Sequence, residues 1–293
     1  MIIIIHLHVH SEYSLRDSTV KMEELITITK EMGFTAVAIT DHGNMAGSFE
    51  FYTGCLKAGI KPIIGVEAYI VKDSEIKDKD EERFHLVLIA MNETGYKNLI
   101  KLVSEANINR FYYSPRIDFK LLRKYGEGII AMTACAPKSL LYMNGHSDIK
   151  MITTYKILKS CVEQTYLEIM PHNFKSQKVH NAKMIEIANK MNESVVSTQD
   201  VHYLRKEDEK VHDILMAIQD RDPYGINSLY LCSKHKAFVM YKNRHGYMSK
   251  KIIMDSLEVS EEIANSIGGY NIPVEKFDYP RFTPTQNQLE MFT

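Results

Sequence analysis

The residues of this chain that could do chemistry fall at the ends of short apolar runs. The first run, Ile2–Leu7, leads into His6-Leu7-His8-Val9-His10, with Asp17 seven residues on. Side chains of an extended segment alternate, so His8 and His10 share a face. Two imidazoles beside a carboxylate can hold a metal ion. Later runs end in Thr40-Asp41-His42, Thr133-Ala134-Cys135 and Gln199-Asp200-Val201-His202, while another carries Gly65-Val66-Glu67. The first and last of these supply further imidazoles, and Asp200 and His202 form another same-face pair. Asp41 is expected to cap the turn that follows it. His85 opens its run, Phe84–Ile89, instead of closing it. It can join the others only if that strand runs antiparallel to its predecessor. The charged segment Lys72–Arg83 would then be a solvated excursion above the rim.

Together these positions offer imidazole, carboxylate and one thiolate, a mixture that suits Zn, Mn or Fe. The nine candidates His8, His10, Asp17, His42, Glu67, His85, Cys135, Asp200 and His202 exceed what one tetrahedral ion accepts. A cluster of two or three divalent ions follows. Burying so many polar groups without a ligand would cost several kcal/mol each, roughly. Clustered ions suit phosphate-ester hydrolysis. One ion supplies a hydroxide, expected to be held by His10, Asp17 and Asp200, while the others hold the phosphoryl and leaving oxygens. No Ser-His-Asp arrangement, GxSxG, P-loop or GxGxxG motif competes.

The elements that must position these groups can be read from periodicity. The predicted strands are Ile2–Leu7, Thr35–Thr40, Pro62–Val71, Phe84–Met91, Gly128–Thr133, Thr165–Met170 and Ser194–Thr198. Helical patterns lie between them at Met22–Met32, Ser48–Ala58, Glu93–Ala106 and Val179–Met191. Alternating strands and helices predict an α/β fold with a largely parallel sheet. Seven strands in about 200 residues suit a small closed barrel, whose C-terminal rim would gather the strand ends into one pocket. After Tyr203 the chain turns helical and polar. Residues 1–272 are thus expected to form a barrel with a C-terminal helical extension, and 273–293 a flexible tail.

Composition narrows the function classes. Of 293 residues, 45% are hydrophobic and 25% charged, the balance of a globular protein and not of a disordered one. Four scattered cysteines without a CxxC pair argue against a disulfide scaffold or zinc ribbon and fit a reducing cytoplasm. His6 interrupts the opening apolar run, so no signal or membrane-spanning segment is expected. A net charge of −1 excludes nonspecific coating of nucleic acid, and any DNA contact must be local. The stretch Lys97–Lys124 offers one such patch. It holds seven Lys/Arg against two Asp/Glu, interleaved with Phe111, Tyr112, Tyr113 and Phe119. The competing reading is an ordinary helix and loop with its aromatics packed inside.

The segments HLHVHSEYSLRD (6–17), GFTAVAITDHGNMAGSFEFY (33–52), GIKPIIGVEAYIV (59–71), HLVLIAMNETGYKNLIKLVSEA (85–106), FYYSPRID (111–118) and TQDVHYLRKEDEKVHDILMAIQ (198–219) resemble the PHP (polymerase and histidinol phosphatase) domain. The form is the one that opens the α subunit of bacterial DNA polymerase III, and the resemblance runs from residue 3 to about residue 282. It implies a distorted seven-stranded, TIM-like (β/α)7 barrel with a trinuclear metal centre. Its ligands would be His8, His10, Asp17, His42, Glu67, His85, Cys135, Asp200 and His202. Intact sites of this family imply a metal-dependent 3′–5′ exonuclease or phosphoesterase. The chain departs from the family at Cys135, which sits in TACAPKS where polymerase members carry a more Gly-rich segment. The polymerase palm lies outside these residues, so no DNA synthesis is expected. His6 and His172 are extra histidines near the rim, expected at the surface, supporting a metal ligand or contacting phosphate.

Gln288-Leu289-Glu290-Met291-Phe292 resembles the peptide that clamp-binding proteins insert into the bacterial sliding clamp. Gln288, Leu289, Met291 and Phe292 are the matching positions. The leading expectation is therefore a 3′–5′ exodeoxyribonuclease that proofreads or trims primer ends in a bacterial cytoplasm, encoded by the bacterium or by a phage. Its expected partners are DNA 3′ ends, the sliding clamp and a replicative polymerase. Two alternatives stand beside it: a phosphatase of the histidinol-phosphate type, and a non-catalytic replication scaffold.

Overall fold

The computed structural model describes residues 4–272. The tail residues Gln288, Leu289, Met291 and Phe292 lie outside the described residues. Eight strands form one sheet: β1 (Ala36–Ile39), β2 (Lys61–Ile70), β3 (Phe84–Ala90), β4 (Phe111–Tyr112), β5 (Ser114–Ile117), β6 (Ile129–Met132), β7 (Gln164–Ile169) and β8 (Val195–Ser197). β1 and β6 are buried along their whole length and β3 at all positions but His85, so these three read as nearly continuous apolar runs.

The sheet closes through a segment that is not a regular strand. Residues 4–10 run parallel to β1, with Ala38 N donating to His6 O (2.9 Å) and Thr40 N to Val9 O (2.8 Å). On their other side His10 N donates to Val201 O (2.8 Å) and Val201 N to His8 O (3.1 Å). The ring is thus segment 4–10, β1, β2, β3, β6, β7 and β8, a seven-membered barrel. The strand expected at Ile2–Leu7 is corrected to this looser edge. Thr40 Oγ1 accepts from Val9 N there, so a side chain takes part of the ladder's work.

β3 is antiparallel to both β2 and β6, whereas β1–β2, β6–β7 and β7–β8 are parallel. This is the reversal that His85 requires. Charged residues of the 72–83 excursion between β2 and β3 are largely exposed.

The helices α1 (Met22–Glu31), α2 (Ser48–Ala58), α3 (Glu93–Ile108), α4 (Phe119–Tyr125), α5 (Asp148–Lys159) and α6 (Lys175–Met191) cover the outside. Asn92 caps α3 by accepting from Gly95 N, and Asp118 caps α4 by accepting from Leu121 N. α3 buries Leu99, Leu102 and Ala106, the helical spacing that faces a sheet. α7 (Glu209–Ile218), α8 (Lys234–Arg244) and α9 (Lys250–Ser266) form the extension. Lys61 at the start of β2 donates to Ala264 O (2.7 Å) and Ile267 O (2.6 Å), satisfying carbonyls at the end of α9. Tyr270 Oη donates to Ala90 O (2.6 Å) at the end of β3. The end of α9 and the residues after it are therefore fastened to the end of the barrel opposite the histidine-bearing rim.

α3 meets the loop before β6 with no room to spare. A Cβ at Gly95 would lie 1.8 Å from Gly128 O. Gly95→Ala is expected to lower stability by about 2 kcal/mol or more, by overpacking a closed backbone contact. Thermal or denaturant unfolding measures it, and an unchanged midpoint would refute that contact.

Candidate metal centre

All nine candidate groups converge at one rim. His8 and His10 come from segment 4–10, and Asp17 from the loop after it. His42 follows β1, Glu67 lies within β2 and His85 opens β3. Cys135 follows β6, and Asp200 with His202 follows β8. Where the chain turns sharply into the rim, Ala134 and Asp200 adopt φ of 61° and 49°. Such left-handed residues favour glycine, which is why a Gly-rich segment suits this turn, and Ala134 takes the same conformation with a Cβ.

Three groupings each bring their ligand atoms within 4.8 Å of one another: His10, His42 and His202; His8, His10 and Asp200; Glu67, His85 and Cys135. Asp200 Oδ1 lies 3.2 Å from Nε2 of both His8 and His10. Glu67 reaches His42 Nδ1 at 2.8 Å and His85 Nδ1 at 2.9 Å. Asp17 Oδ1 lies 3.4 Å from His42 Nε2 and 4.0 Å from His202 Nε2.

The outward nitrogens are occupied, which fixes how the inward ones face. His8 Nδ1 donates to Glu168 Oε1 (2.7 Å). His202 Nδ1 donates to the Asp200 carbonyl (2.9 Å). His10 Nδ1 donates to Ser14 Oγ (3.0 Å), which in turn donates to Asp41 Oδ1 (2.8 Å). In each ring this turns Nε2 toward the centre, where its lone pair can bind an ion once the ring is neutral. The buried atoms His8 Nε2, His10 Nε2, Asp17 Oδ1, His42 Nδ1, Glu67 Oε2 and Asp200 Oδ1 make no well-formed hydrogen bond and face only one another across the centre. Orphaned buried acceptors on this scale are costly, and divalent cations satisfy them. The donor set fits such ions.

The titration pattern agrees. Burial opposes charge on Glu67, but His85, His42 and His8 outweigh it and hold the carboxyl well below its usual range. Burial likewise opposes charge on Asp200, which His8 and His202 hold down. Burial also works against protonated His8 and His42, yet the carboxylates around them raise both well above 6.5. His10 is pushed down to about 3 by burial and by its neighbours His42 and His202.

Several expectations need correction. Asp41 does not cap the turn that follows it. Its carboxylate accepts from Ser11 N (2.6 Å), Ser11 Oγ (2.7 Å) and Ser14 Oγ, and so braces the preceding histidine loop. Neither His6 nor His172 is a surface residue. His6 bonds the Cys232 carbonyl (2.9 Å) and packs near Phe34 in the core, away from the site. His172 lines the site cavity, its Nδ1 on Ser228 Oγ (2.8 Å) and its Nε2 unpartnered. The basic patch at 97–124 is largely neutralised. Arg116 is 1% exposed and donates to Ser74 O and Ile76 O, pinning the 72–83 excursion. Lys120 pairs with Asp73, Arg110 with Glu75 and Lys97 with Glu93.

Other site residues were not foreseen. Glu168 is fully buried and accepts from His8, Thr198 Oγ1 and Ala134 N. Its signal in the sequence was a carboxylate in the apolar strand β7. Tyr224 Oη donates to Asp17 Oδ2 (3.0 Å), and Arg221 lies 3.5 Å from the same oxygen. These two come from a stretch without regular structure, which periodicity does not reveal. The cavity has a volume of about 590 Å³, and Lys138, Phe174, Arg221 and Tyr224 join the coordinating groups in its wall.

With the barrel and this rim in view, comparison with known proteins gives a consistent answer. The PHP domain model matches residues 6–174, and the chain belongs to the PHP family. It is 38% identical to DNA polymerase III subunit alpha of Aquifex aeolicus, over 94% of this chain and 26% of that protein. It is 40% identical to the same subunit of Borreliella burgdorferi, over 73% of this chain and 19% of that protein. The chain thus spans about a quarter or less of these curated relatives. A solved structure described as a metal-dependent phosphoesterase, from Bifidobacterium adolescentis, has a TM-score of 0.47 and 13% identity, covering 68% of this chain and 87% of that one.

His10→Ala and Asp200→Asn are each expected to lower the metal bound by purified protein, measured by elemental analysis, while far-UV circular dichroism stays native. Full metal content in either variant would remove the assigned site. Because the carboxylates favour protonated His8 and His42 in metal-free protein, loading must displace protons. Apparent metal affinity should therefore rise with pH through neutrality, and titration in weak buffer should show proton release.

Proposed function

We propose that this chain is a metal-dependent phosphodiesterase that removes nucleotides from the 3′ ends of DNA. The observation that carries the reading is the set of orphaned, buried nitrogen and oxygen atoms converging on a cavity of nucleotide size. His8, His10, Asp17, His42, Glu67, His85, Cys135, Asp200 and His202 would hold two or three divalent ions, of Zn, Mn or Fe. When bound, such ions make a hydroxide nucleophile from water and neutralise charge on the phosphoryl group. The chain's own residues supply the rest. Glu168 and the Asp41–Ser14 pair hold His8 and His10 in orientation. Arg221, at the cavity wall, offers a guanidinium to the phosphate oxygens. Phe174, Ile226 and Leu229 give an apolar wall against which a base or sugar can lie.

The similarity to polymerase III alpha subunits supports a nucleic-acid substrate over a small phosphomonoester, and the full ligand set supports catalysis over a scaffold role. Among the described residues no helix is long and apolar enough to cross a membrane.

Metal-loaded protein should release mononucleotides from 3′-labelled DNA and act faster on unpaired than on paired ends. A duplex end must first unstack and unpair, at a cost of about a few kcal/mol. Faster hydrolysis of a small phosphomonoester than of any oligonucleotide would replace this reading with the phosphatase one.

The tail is proposed to recruit the nuclease to the sliding clamp through Gln288, Leu289, Met291 and Phe292. A short linear motif of this kind binds at roughly micromolar Kd, and tethering then raises the local enzyme concentration at primer ends. The double variant Leu289→Ala/Phe292→Ala should cleave free oligonucleotides as wild type does, yet lose stimulation by clamp loaded on primed DNA. Equal stimulation of both proteins would exclude the tail as the tether.

A further inference from the structure

A second cavity, of about 390 Å³, opens beside the metal centre and shares Asp17, His42, Tyr69 and Arg221 with it. One wall is the loop that carries Tyr13, Leu15 and Arg16. The other is the β4–β5 hairpin, with Tyr113 at its tip. The hairpin is fixed against the rim. A Cβ at Gly43, next to His42, would lie 2.4 Å from Pro115 Cγ, so that glycine lets the hairpin seat there.

The tip is built unlike an ordinary turn. Tyr113 holds a φ of 60°, a conformation rare for a bulky side chain, and the residue is 69% exposed. Tyr112 meets that ring edge-on at 4.7 Å, and the Arg83 guanidinium lies 5.6 Å from its centroid. Across the groove Leu15 is 80% exposed. Among the described residues Asp17, at the metal end, is the only acidic one in the lining, against Arg16 and Arg221. An exposed ring, an exposed aliphatic side chain and arginines along one cleft are the elements that stack bases and track phosphates of a single strand. The near-neutral charge of the whole chain does not oppose this, since the bias is local.

We propose that this groove is a binding track for single-stranded nucleic acid, and that Tyr113 stacks on a base of the strand that remains after cleavage. The larger cavity then receives the nucleotide to be removed. This inference rests on the 3′-exonuclease reading above.

The test compares two substrates with metal-loaded protein. One is an oligothymidylate of about ten nucleotides. The other is the p-nitrophenyl ester of thymidine 5′-monophosphate, in which nitrophenol stands in place of the remaining strand. Tyr113→Ala should raise KM for the oligonucleotide about tenfold relative to KM for the ester. Tyr113→Asn, which suits a left-handed backbone, should do the same and separates loss of the ring from hairpin strain. Tyr113→Phe keeps the ring and should restore the wild-type ratio. Binding of the labelled oligonucleotide to metal-free protein, read by fluorescence anisotropy, should weaken about tenfold for the Ala and Asn variants. An unchanged KM ratio and unchanged binding in both, with oligonucleotides still cleaved, would overturn the groove assignment alone. Wild-type protein that cleaves the ester but no oligonucleotide would overturn the nuclease reading and this one with it.

Discussion

Glu67 touches four imidazoles from three places in the chain: His8 and His10, His42, and His85, at 2.8 to 3.5 Å. It is 1% exposed, and a buried carboxylate survives only among partners that favour its charge. The partners arrive by different routes. His42 needs β1 parallel to β2, and His85 needs β3 antiparallel to it. His8 and His10 need segment 4–10 to fill the gap between β1 and the chain near Val201. The irregularities of this barrel are thus the ones its central carboxylate requires. A uniformly parallel ring would have placed His85 at the opposite end.

Outside the ring, polar residues hold these routes in place. Asp41 braces the loop after His10, Glu168 orients His8, and Arg116 ties the 72–83 excursion to β5. Each is buried with most of its hydrogen-bonding groups engaged, so it fixes geometry instead of adding another free charge. The unpartnered atoms are concentrated on the inner side. That contrast between a satisfied outer layer and an unsatisfied inner one is what marks the centre as a place for cations.

Much of this was legible in the sequence, and the reasons are local. The HxH and DxH pairs betray themselves through a period of two, and β1, β3 and β6 through short apolar runs. The antiparallel turn of β3 was legible because His85 would otherwise have no role. What escaped depends on long-range contacts. Asp41 sits beside a turn it could have capped, and nothing local says that it reaches back 30 residues to Ser11. Arg116 reads as basic surface until the excursion folds over it. Glu168 was visible as a charge in an apolar strand, but its partner His8 lies 160 residues away. Arg221 and Tyr224 come from chain without periodicity.

The inner layer of orphaned atoms also bears on how such a centre can be lost over generations. If one coordinating residue is replaced and an ion no longer binds, its neighbours keep their buried, unsatisfied groups and become a burden on the fold. Replacing those neighbours by apolar residues then relieves the barrel instead of harming it, so the substitutions are strongly coupled. Decay should run through the set as a cascade, and half-eroded centres should be short-lived. Sites of this construction would be found nearly complete or nearly gone, with the barrel outlasting its chemistry.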